Sequence, residues 1–319
     1  MLHRQVRMNR FTFISKFMTP SNATLGWIAT LAVFSVAASS PSIAAPPDVV
    51  ADAGEPRVQL DVVYDADYDL KLDFALPPSA ADAPRPAIML IHGGAWRSGD
   101  KSNLRGQMIE LANRGYVACS VQYRFCPEHV FPAQVDDVKH AVQFLRDEAD
   151  RFGIDPTRIG AMGISAGAHL AMMLAVTDEV DDFAADRDSD TSSKVQVAVA
   201  YFGPAVLRPD AVPGPARRLL EDFVGGPLDE HVEELRRASP MEYLDDQDAP
   251  LLLFQGTADP LVTMDQAVEM SRAMGKAGMK GRAELLVGQN HGWGGELLEY
   301  TNRDAVEMFD RWLSTGTDR

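Results

Sequence analysis

A pentapeptide near the middle of the chain strongly limits the fold that this sequence can adopt. Gly163, Ser165 and Gly167 form the motif G-x-S-x-G, which lies between a strand-like run, R-I-G-A-M, and a helix-like run, A-G-A-H-L-A-M-M-L. Glycines beside the serine remove the Cβ atoms that would prevent a very tight strand-to-helix turn. Such a turn exposes the serine hydroxyl at a helix N-terminus, where negative charge is favoured. We therefore predict that Ser165 is a nucleophile at the end of a strand in the sheet of an α/β fold.

The rest of the sequence alternates strand-like and helix-like segments. Strands are predicted at Val58–Tyr64, Leu70–Ala75, Ala87–Ile91, Val117–Tyr123, Arg158–Met162, Val195–Phe202, Leu251–Phe254 and Ala283–Val287. Helices are predicted at Leu104–Asn113, 134–152, Ala166–Val176, Asp265–Gly275 and Arg303–Leu313. The first two strands alternate apolar and polar residues, as antiparallel strands do, whereas the third is a continuous apolar run. This order predicts an α/β fold in which helices cover both faces of a mostly parallel sheet, with ligands bound beyond the carboxyl ends of its strands.

Residues 206–248 interrupt this alternation, because they are rich in proline and charged residues and carry one helical pattern around Asp229–Arg237. We interpret them as an insertion over the C-terminal edge of the sheet, within one catalytic domain that spans residues 57–319. The depth of any substrate pocket then depends on how this insertion folds.

A serine hydroxyl needs a base to become a good nucleophile, and the base needs an orienting acid. In enzymes that carry G-x-S-x-G at such a turn, the chain order is serine, acid, histidine. His291 follows the strand-like run A-E-L-L-V and precedes the glycine-rich run G-W-G-G, which makes it the candidate base. We interpret His231, in the charged insertion, as a surface residue, and His169, one helical turn after the serine, as a structural one.

The candidate acid is Asp259, which follows the apolar run L-L-L-F and lies between Ser165 and His291 in the chain. Its position after a buried strand and before the histidine is the one that the chain order requires. Asp265 is the alternative, although its place predicts the start of the next helix.

Attack on a carbonyl group develops an oxyanion, which needs N–H donors already in place. The run M-L-I-H-G-G-A-W supplies a strand that leads into a glycine-rich loop. The candidate donors are the backbone N–H groups of Gly93, Gly94, Ala95 and Ala166. His92 is interpreted as a structural hydrogen-bonding residue. Trp96 is a candidate substrate-binding residue, with simple packing as the equal alternative.

The first 45 residues differ in composition from the rest of the chain. They contain basic residues and no acidic residue, then an apolar run of 14 residues at Leu25–Ala38, then the small-residue run S-S-P-S-I-A-A. This order is typical of a secretory signal peptide, which we predict for residues 1–45, with a linker at 46–56. The apolar run is short for a bilayer span, and an uncleaved anchor is the alternative. We expect a secreted or periplasmic protein with no stable membrane association after cleavage.

Composition excludes several classes of partner. The formal net charge is −16, so nucleic acid is not expected to bind, because phosphate binding needs clustered Lys and Arg. The histidines and cysteines show none of the spacings of metal sites, and we expect neither a metal nor another cofactor. Cys119 and Cys126 are interpreted as buried thiols rather than a disulfide. The oligomeric state stays open.

Several of these motifs resemble those of the α/β-hydrolase superfamily. The matching segments are I-H-G-G-A-W, Y-R-F-C-P-E-H-V-F-P-A-Q-V-D-D-V, G-I-S-A-G-A-H-L-A, G-T-A-D-P-L-V and N-H-G-W. The H-G-G-x-W form is similar to secreted bacterial feruloyl and acetylxylan esterase-like enzymes, which are related to the hormone-sensitive-lipase carboxylesterases. The chain departs from the H-G-G-G pattern of the lipase group at Ala95, and it lacks that group's long N-terminal helical cap.

This resemblance implies a serine esterase whose catalytic triad is Ser165, Asp259 and His291. It also implies oxyanion donors at Gly94, Ala95 and Ala166, and a short-chain or carbohydrate-linked (acetyl or feruloyl) ester as the substrate. The alternatives are an amidase, arylformamidase or peptidase on the same fold, or a long-chain lipase if the insertion forms a lid. A binding protein on a hydrolase scaffold is disfavoured, because such proteins usually lose a member of the triad.

Overall fold

The strands of this protein form a single eight-stranded sheet in a computed structural model that describes residues 54–79, 83–177, 183 and 191–314. The strands are β1 (Arg57–Asp65), β2 (Leu70–Leu76), β3 (Arg85–Ile91), β4 (Val117–Val121), β5 (Ile154–Ile164), β6 (Val197–Tyr201), β7 (Leu251–Gly256) and β8 (Gly281–Leu286). Their order is β1-β2-β4-β3-β5-β6-β7-β8. All pairs from β4 onward are parallel, whereas β2 is antiparallel to both of its neighbours. The predicted mostly parallel α/β sheet is therefore confirmed.

Helices cover both faces of this sheet. They are α1 (Arg105–Asn113), α2 (Ala133–Asp147), α3 (Ala149–Phe152), α4 (Ala166–Val176), α5 (Gly214–Val224), α6 (Val232–Arg237), α7 (Met264–Ala277) and α8 (Gly295–Leu313). The apolar residues of α1 and α8 pack in one core, and those of α2, α4 and α7 pack in the other. The apolar sides of α5 and α6 join the second core, so residues 206–248 cover that layer of helices.

The central strands supply both cores because successive side chains point to opposite faces of a strand. Along β3, Met89 and Ile91 belong to the core shared with α4, whereas Ile88 and Leu90 belong to the core shared with α8. All four side chains are fully buried. Burial on both faces explains why the sequence of β3 is continuously apolar rather than alternating.

Helix α4 is buried along its whole length. Its small residues allow neighbouring chain segments to approach closely: a Cβ atom on Gly203 would lie only 2.6 Å from the Cβ atom of Ala168. A helix that is apolar on all sides is stable only inside a protein. Close packing around Ala166–Val176 therefore holds the helix that follows Ser165 in place.

The structure also bears on the two cysteines and on membrane-spanning helices. Cys119 and Cys126 are both buried and unbridged, as predicted. In residues 54–314, wherever the structure describes the chain, no helix is both long enough and apolar enough to cross a membrane. The predicted signal peptide at 1–45 and most of the linker at 46–56 lie outside the described residues.

Candidate active site

The G-x-S-x-G segment forms the sharp turn between β5 and α4 that its glycines predict. Ser165 has a φ of 54° and a ψ of −118°, which lies in the region that favours glycine. A Cβ atom on Gly163 would overlap the carbonyl carbon and oxygen of Gly167, and one on Gly167 would overlap the carbonyl oxygen of Ile91. Neither glycine can therefore carry a side chain, and the turn presents Ser165 at the C-terminal end of β5.

The structure brings together the three side chains that the sequence suggested for nucleophile, base and acid. The Oγ atom of Ser165 lies 2.8 Å from Nε2 of His291, and Nδ1 of His291 lies 2.7 Å from Oδ2 of Asp259. Because an ionised carboxylate only accepts hydrogen bonds, Nδ1 carries the hydrogen atom and Nε2 accepts from the Ser165 hydroxyl. The alternatives lie elsewhere, with Asp265 in the first turn of α7 and His231 at the start of α6.

The carboxylate of Asp259 is held by hydrogen bonds to both of its oxygens. The backbone amides of Leu261 and Val262 donate to Oδ1 at 2.9 and 3.0 Å, and the side-chain amide of Gln255 donates to Oδ2 at 3.1 Å. Burial alone would raise the pKa of Asp259, but the hydrogen bonds from His291 and from the two backbone amides hold that pKa below its ordinary value. The group is therefore a fixed negative charge beside the imidazole.

Two residues in this arrangement were not predicted from the sequence. Gln255, near the end of β7, also donates to the carbonyl oxygen of Val262 at 2.8 Å. It therefore connects β7 to the far end of the loop, residues 257–263, that carries Asp259. The sequence carried one indication of this role, because Gln255 is a polar residue inside the otherwise apolar run L-L-L-F-Q-G. Phe202, just after β6, has a φ of 46°, and its ring centroid lies 4.8 Å from that of His291. Nothing in the sequence predicts the Phe202 contact.

The glycine-rich loop after β3 lies directly against the turn that carries Ser165. A Cβ atom on Gly93 would approach the carbonyl oxygen of Ile164 to 2.9 Å, which is too close for any other residue. The carbonyl oxygen of Gly94 accepts hydrogen bonds from the backbone N–H groups of Arg97 and Ser98 at 3.0 and 3.1 Å. These bonds close the loop into a tight turn. Within the described part of the chain, the N–H groups of the predicted oxyanion donors donate to no protein acceptor; these donors are Gly93, Gly94, Ala95 and Ala166.

A cavity of about 740 Å³ opens beside Ser165 and His291. One wall of the cavity is formed by the glycine-rich loop with Trp96, and another is formed by the insertion, residues 206–248. Most of the remaining lining is apolar, and its members include Leu207, Val212, Ala216, Leu219, Leu220 and Val262. Trp96 is almost completely buried, so it contributes a wall of the cavity and packs at the same time. Among the residues that the structure describes, no three His, Cys, Asp or Glu side chains are grouped in a way that could hold a metal ion.

A strained serine at a strand-to-helix turn, on a sheet with this strand order, defines an α/β-hydrolase. Within that class the chain belongs to the BD-FAE family, whose family model matches residues 72–274. This assignment confirms the resemblance indicated by the motifs.

Individual relatives agree with the family. Esterase LipC of Mycobacterium tuberculosis is 30% identical over 242 residues, which cover 73% of this chain and 59% of LipC. A solved structure of a truncated carbohydrate esterase from gut microbiota is 25% identical, with a TM-score of 0.69 over 81% of this chain and 98% of the other. The chain spans about half the length of the curated relatives that it matches.

Esterase 2 of Thermogutta terrifontis is a third similar protein. Its structure phosphonylated by sarin is 26% identical, with a TM-score of 0.71 over 82% of this chain and 98% of the other. Its butyrate-bound structure is also 26% identical, with a TM-score of 0.68 over 84% of this chain and 98% of the other.

Proposed function

We propose that this protein is a serine carboxylesterase that hydrolyses short-chain or carbohydrate-linked esters. The observation that carries this proposal is the hydrogen-bonded chain from Asp259 through His291 to the Ser165 hydroxyl, which ends at the mouth of an apolar cavity. This is the arrangement that converts a weakly nucleophilic hydroxyl into an effective nucleophile. The esterase names of the relatives support it.

In the proposed acylation step, the Ser165 hydroxyl attacks the ester carbonyl and Nε2 of His291 accepts its proton. Asp259 keeps the hydrogen on Nδ1 and stabilises the imidazolium ion that forms. His291 then returns the proton to the departing alcohol oxygen, which leaves the acyl group on Ser165. In deacylation a water molecule repeats the sequence and releases the acid, so each step uses only groups of this chain and water.

The oxyanion of the tetrahedral intermediate would be stabilised from two sides. One donor is the N–H group of Ala166, at the N-terminus of α4, and the others are N–H groups of Gly93, Gly94 and Ala95. Among the described residues these N–H groups have no protein acceptor, and the loop that carries three of them is closed by hydrogen bonds to the carbonyl oxygen of Gly94. Removing one such donor typically costs about 3 kcal/mol of transition-state stabilisation.

The acyl group would occupy the apolar cavity. Support for a short acyl chain comes from the Thermogutta esterase, one structure of which holds butyrate. Support for a carbohydrate-linked ester comes from the solved carbohydrate esterase and from a bifunctional GH43-CE protein of Bacteroides eggerthii. The activity assay distinguishes the two ester classes.

The test is hydrolysis of a p-nitrophenyl ester series from acetate to palmitate, with acetylated xylan, methyl ferulate and an aryl formamide alongside. We expect the highest rates with short acyl chains, release from xylan or ferulate, and little turnover of the formamide. The matched control is Ser165→Ala, which should fold but neither turn over substrate nor react with a fluorophosphonate. Undiminished turnover by Ser165→Ala would contradict the mechanism, and a maximum at palmitate would contradict the substrate class.

We further propose that the protein is exported, with residues 1–45 removed as a signal peptide. Support comes from the basic, apolar and small-residue order of that segment. N-terminal sequencing of the protein recovered from the periplasm or medium should find a first residue between 39 and 46. Full-length protein retained in the membrane fraction would instead favour the uncleaved anchor.

A further inference from the structure

We propose that His169 and Trp96 form a positioning pair that holds the oxyanion loop at a fixed place relative to the nucleophile. The oxyanion loop is defined here as residues 93–96. This inference rests on the proposed esterase function and assigns roles to two buried side chains. His169 was interpreted from the sequence as purely structural, and Trp96 as a substrate contact or a packing residue.

The first observation is that the oxyanion loop holds an unfavourable backbone conformation. Gly94, Ala95 and Trp96 have φ values of 123°, 53° and 57°, so three consecutive residues lie at positive φ. Alanine and tryptophan rarely adopt such values, and a conformation of this kind persists only where the surroundings hold it in place. Something on the loop must therefore anchor it.

The second observation is a side-chain anchor, which acts beside the backbone hydrogen bond from Cys126 to the carbonyl oxygen of Trp96 at 2.9 Å. The indole Nε1–H of Trp96 donates to Nδ1 of His169 at 3.3 Å, and the other ring nitrogen of His169 lies 2.7 Å from the carbonyl oxygen of Ala238. A carbonyl oxygen only accepts, so Nε2 of His169 carries the hydrogen atom and Nδ1 is free to accept from the indole. The two hydrogen bonds therefore require the same neutral tautomer.

Burial keeps His169 in that neutral form. Its side chain is fully buried, and burial lowers the pKa of His169 to about 4, although the hydrogen bond to Ala238 acts in the opposite direction. At neutral pH the imidazole is thus uncharged, and Nδ1 remains available as an acceptor for Trp96.

The aromatic packing adds a second restraint on the indole. The rings of Trp96 and Phe223 are stacked, with centroids 4.2 Å apart and an interplanar angle of 17°. Phe223 belongs to α5 and also meets the His169 ring edge-on at 5.7 Å. The insertion therefore packs against both rings of the pair and restrains the indole.

The position of His169 makes this anchor relevant to catalysis. It lies in α4, the helix that begins with the donor Ala166, and its amide donates to the carbonyl oxygen of Ser165 at 3.1 Å. The hydrogen bond from Trp96 thus joins the two halves of the oxyanion hole, one on the loop and one on α4. Losing it would let the strained loop relax away from Ser165, which weakens transition-state stabilisation more than substrate binding.

Four variants test this pair. Trp96→Phe removes the indole donor but keeps a ring to stack on Phe223. His169→Gln keeps a donor at the position of Nε2 and loses the acceptor for Trp96, whereas His169→Asn keeps an acceptor at the position of Nδ1. The fourth variant combines Trp96→Phe with His169→Gln. For each we would measure kcat and KM on p-nitrophenyl butyrate, the affinity for a trifluoromethyl ketone transition-state analogue, and the thermal unfolding temperature.

We expect kcat of Trp96→Phe and of His169→Gln to fall about tenfold, with KM unchanged within about twofold. The affinity for the ketone should fall by the same factor as kcat. His169→Asn should retain most of kcat, and the double variant should be no slower than either single variant, because both remove the same hydrogen bond. If Trp96→Phe does not fold, the comparison of His169→Gln with His169→Asn decides the same question.

Two results would overturn the pair. One is an unchanged kcat in Trp96→Phe or His169→Gln; the other is equal losses of kcat in His169→Gln and His169→Asn that follow unfolding temperature alone. A wild-type protein that hydrolyses no ester would remove the proposed function and this inference together. An active wild type with insensitive variants would remove only the inference.

Discussion

Ser165 holds a backbone conformation, φ 54° and ψ −118°, that is the mirror image of extended backbone. Glycine adopts it without strain, whereas a residue with a Cβ atom does not. We therefore predict that Ser165→Gly is more stable than Ser165→Ala by about 1 kcal/mol, after allowing for the greater freedom of glycine in the unfolded chain. Both variants should be inactive, and urea unfolding monitored by circular dichroism measures the difference. A lower midpoint for Ser165→Gly than for Ser165→Ala would show that the turn carries no strain, because only the unfolded-state freedom of glycine would then separate the two variants.

The positions of Ser165, Asp259 and His291 could be predicted because each depends on local features: a tight turn, a strand end and chain order. Gln255 and Phe202 could not, because their roles depend on which side chains meet across separate strands. Trp96 stayed undecided for the same reason, since its partners come from α4 and α5.

Gln255 should affect the acid side of the pH profile. Its amide stabilises the ionised form of Asp259, whose pKa already lies below its ordinary value. In Gln255→Met the Asp259 carboxylate loses that hydrogen-bond donor. Its negative charge is then less stabilised, so the carboxylate either binds a proton more readily or attracts the imidazolium form of His291 more strongly. Both changes shift the acid limb of kcat/KM to higher pH, by about half a unit or more.

The matched control for this experiment is Gln134→Met. Gln134 is also buried, and it lies in α2, away from Ser165. Its side-chain amide donates to the backbone carbonyl oxygen of His129. This variant should lose stability like Gln255→Met, because both leave a buried carbonyl oxygen without its donor. Its pH profile should not move, and a shift of equal size in both variants would contradict the role of Gln255.

Among the elements, α5 shapes the cavity and was not predicted from the sequence. Its apolar residues do recur at helical spacing, and Ala216, Leu220 and Phe223 are buried. The prolines and charges around them favoured irregular structure, and only tertiary packing against α4 and the oxyanion loop decides for a helix. The sheet was easier to predict, because strands buried on both faces are continuously apolar regardless of what covers them.

Ala216 on α5 should limit the length of the acyl chain that the cavity accepts. Its side chain lines the cavity, so Ala216→Phe would place a ring where the far end of an acyl chain would lie. We expect kcat/KM for p-nitrophenyl octanoate to fall about tenfold or more relative to acetate, since each lost methylene contact in an apolar pocket has effects of this order. Ala273→Phe, on α7 and outside the cavity lining, is the control and should leave the ratio unchanged. An unchanged ratio in Ala216→Phe would place the acyl group elsewhere.

For the whole molecule, the buried neutral His169 links stability to pH. Its pKa is about 4 in the folded protein and about 6.5 when unfolded, so between these values the unfolded chain binds more protons. Stability therefore falls as pH falls from about 6.5 to about 4, by at most about 3 kcal/mol from this group. His92, whose pKa burial also lowers, acts in the same direction. Asp259 has a lowered pKa, so its contribution is lost only below about pH 4.

Comparing wild type with His169→Asn isolates the histidine contribution, because asparagine does not titrate and His92 and Asp259 are present in both proteins. Urea unfolding at pH 7.0, 6.0, 5.0 and 4.5 should show a shallower loss of stability in the variant. Parallel loss curves would mean that the pKa of His169 is the same in the folded protein as in the unfolded chain. In that case folding would not favour the neutral imidazole whose Nδ1 accepts from Trp96, so this equilibrium measurement also tests the protonation state on which the positioning pair depends.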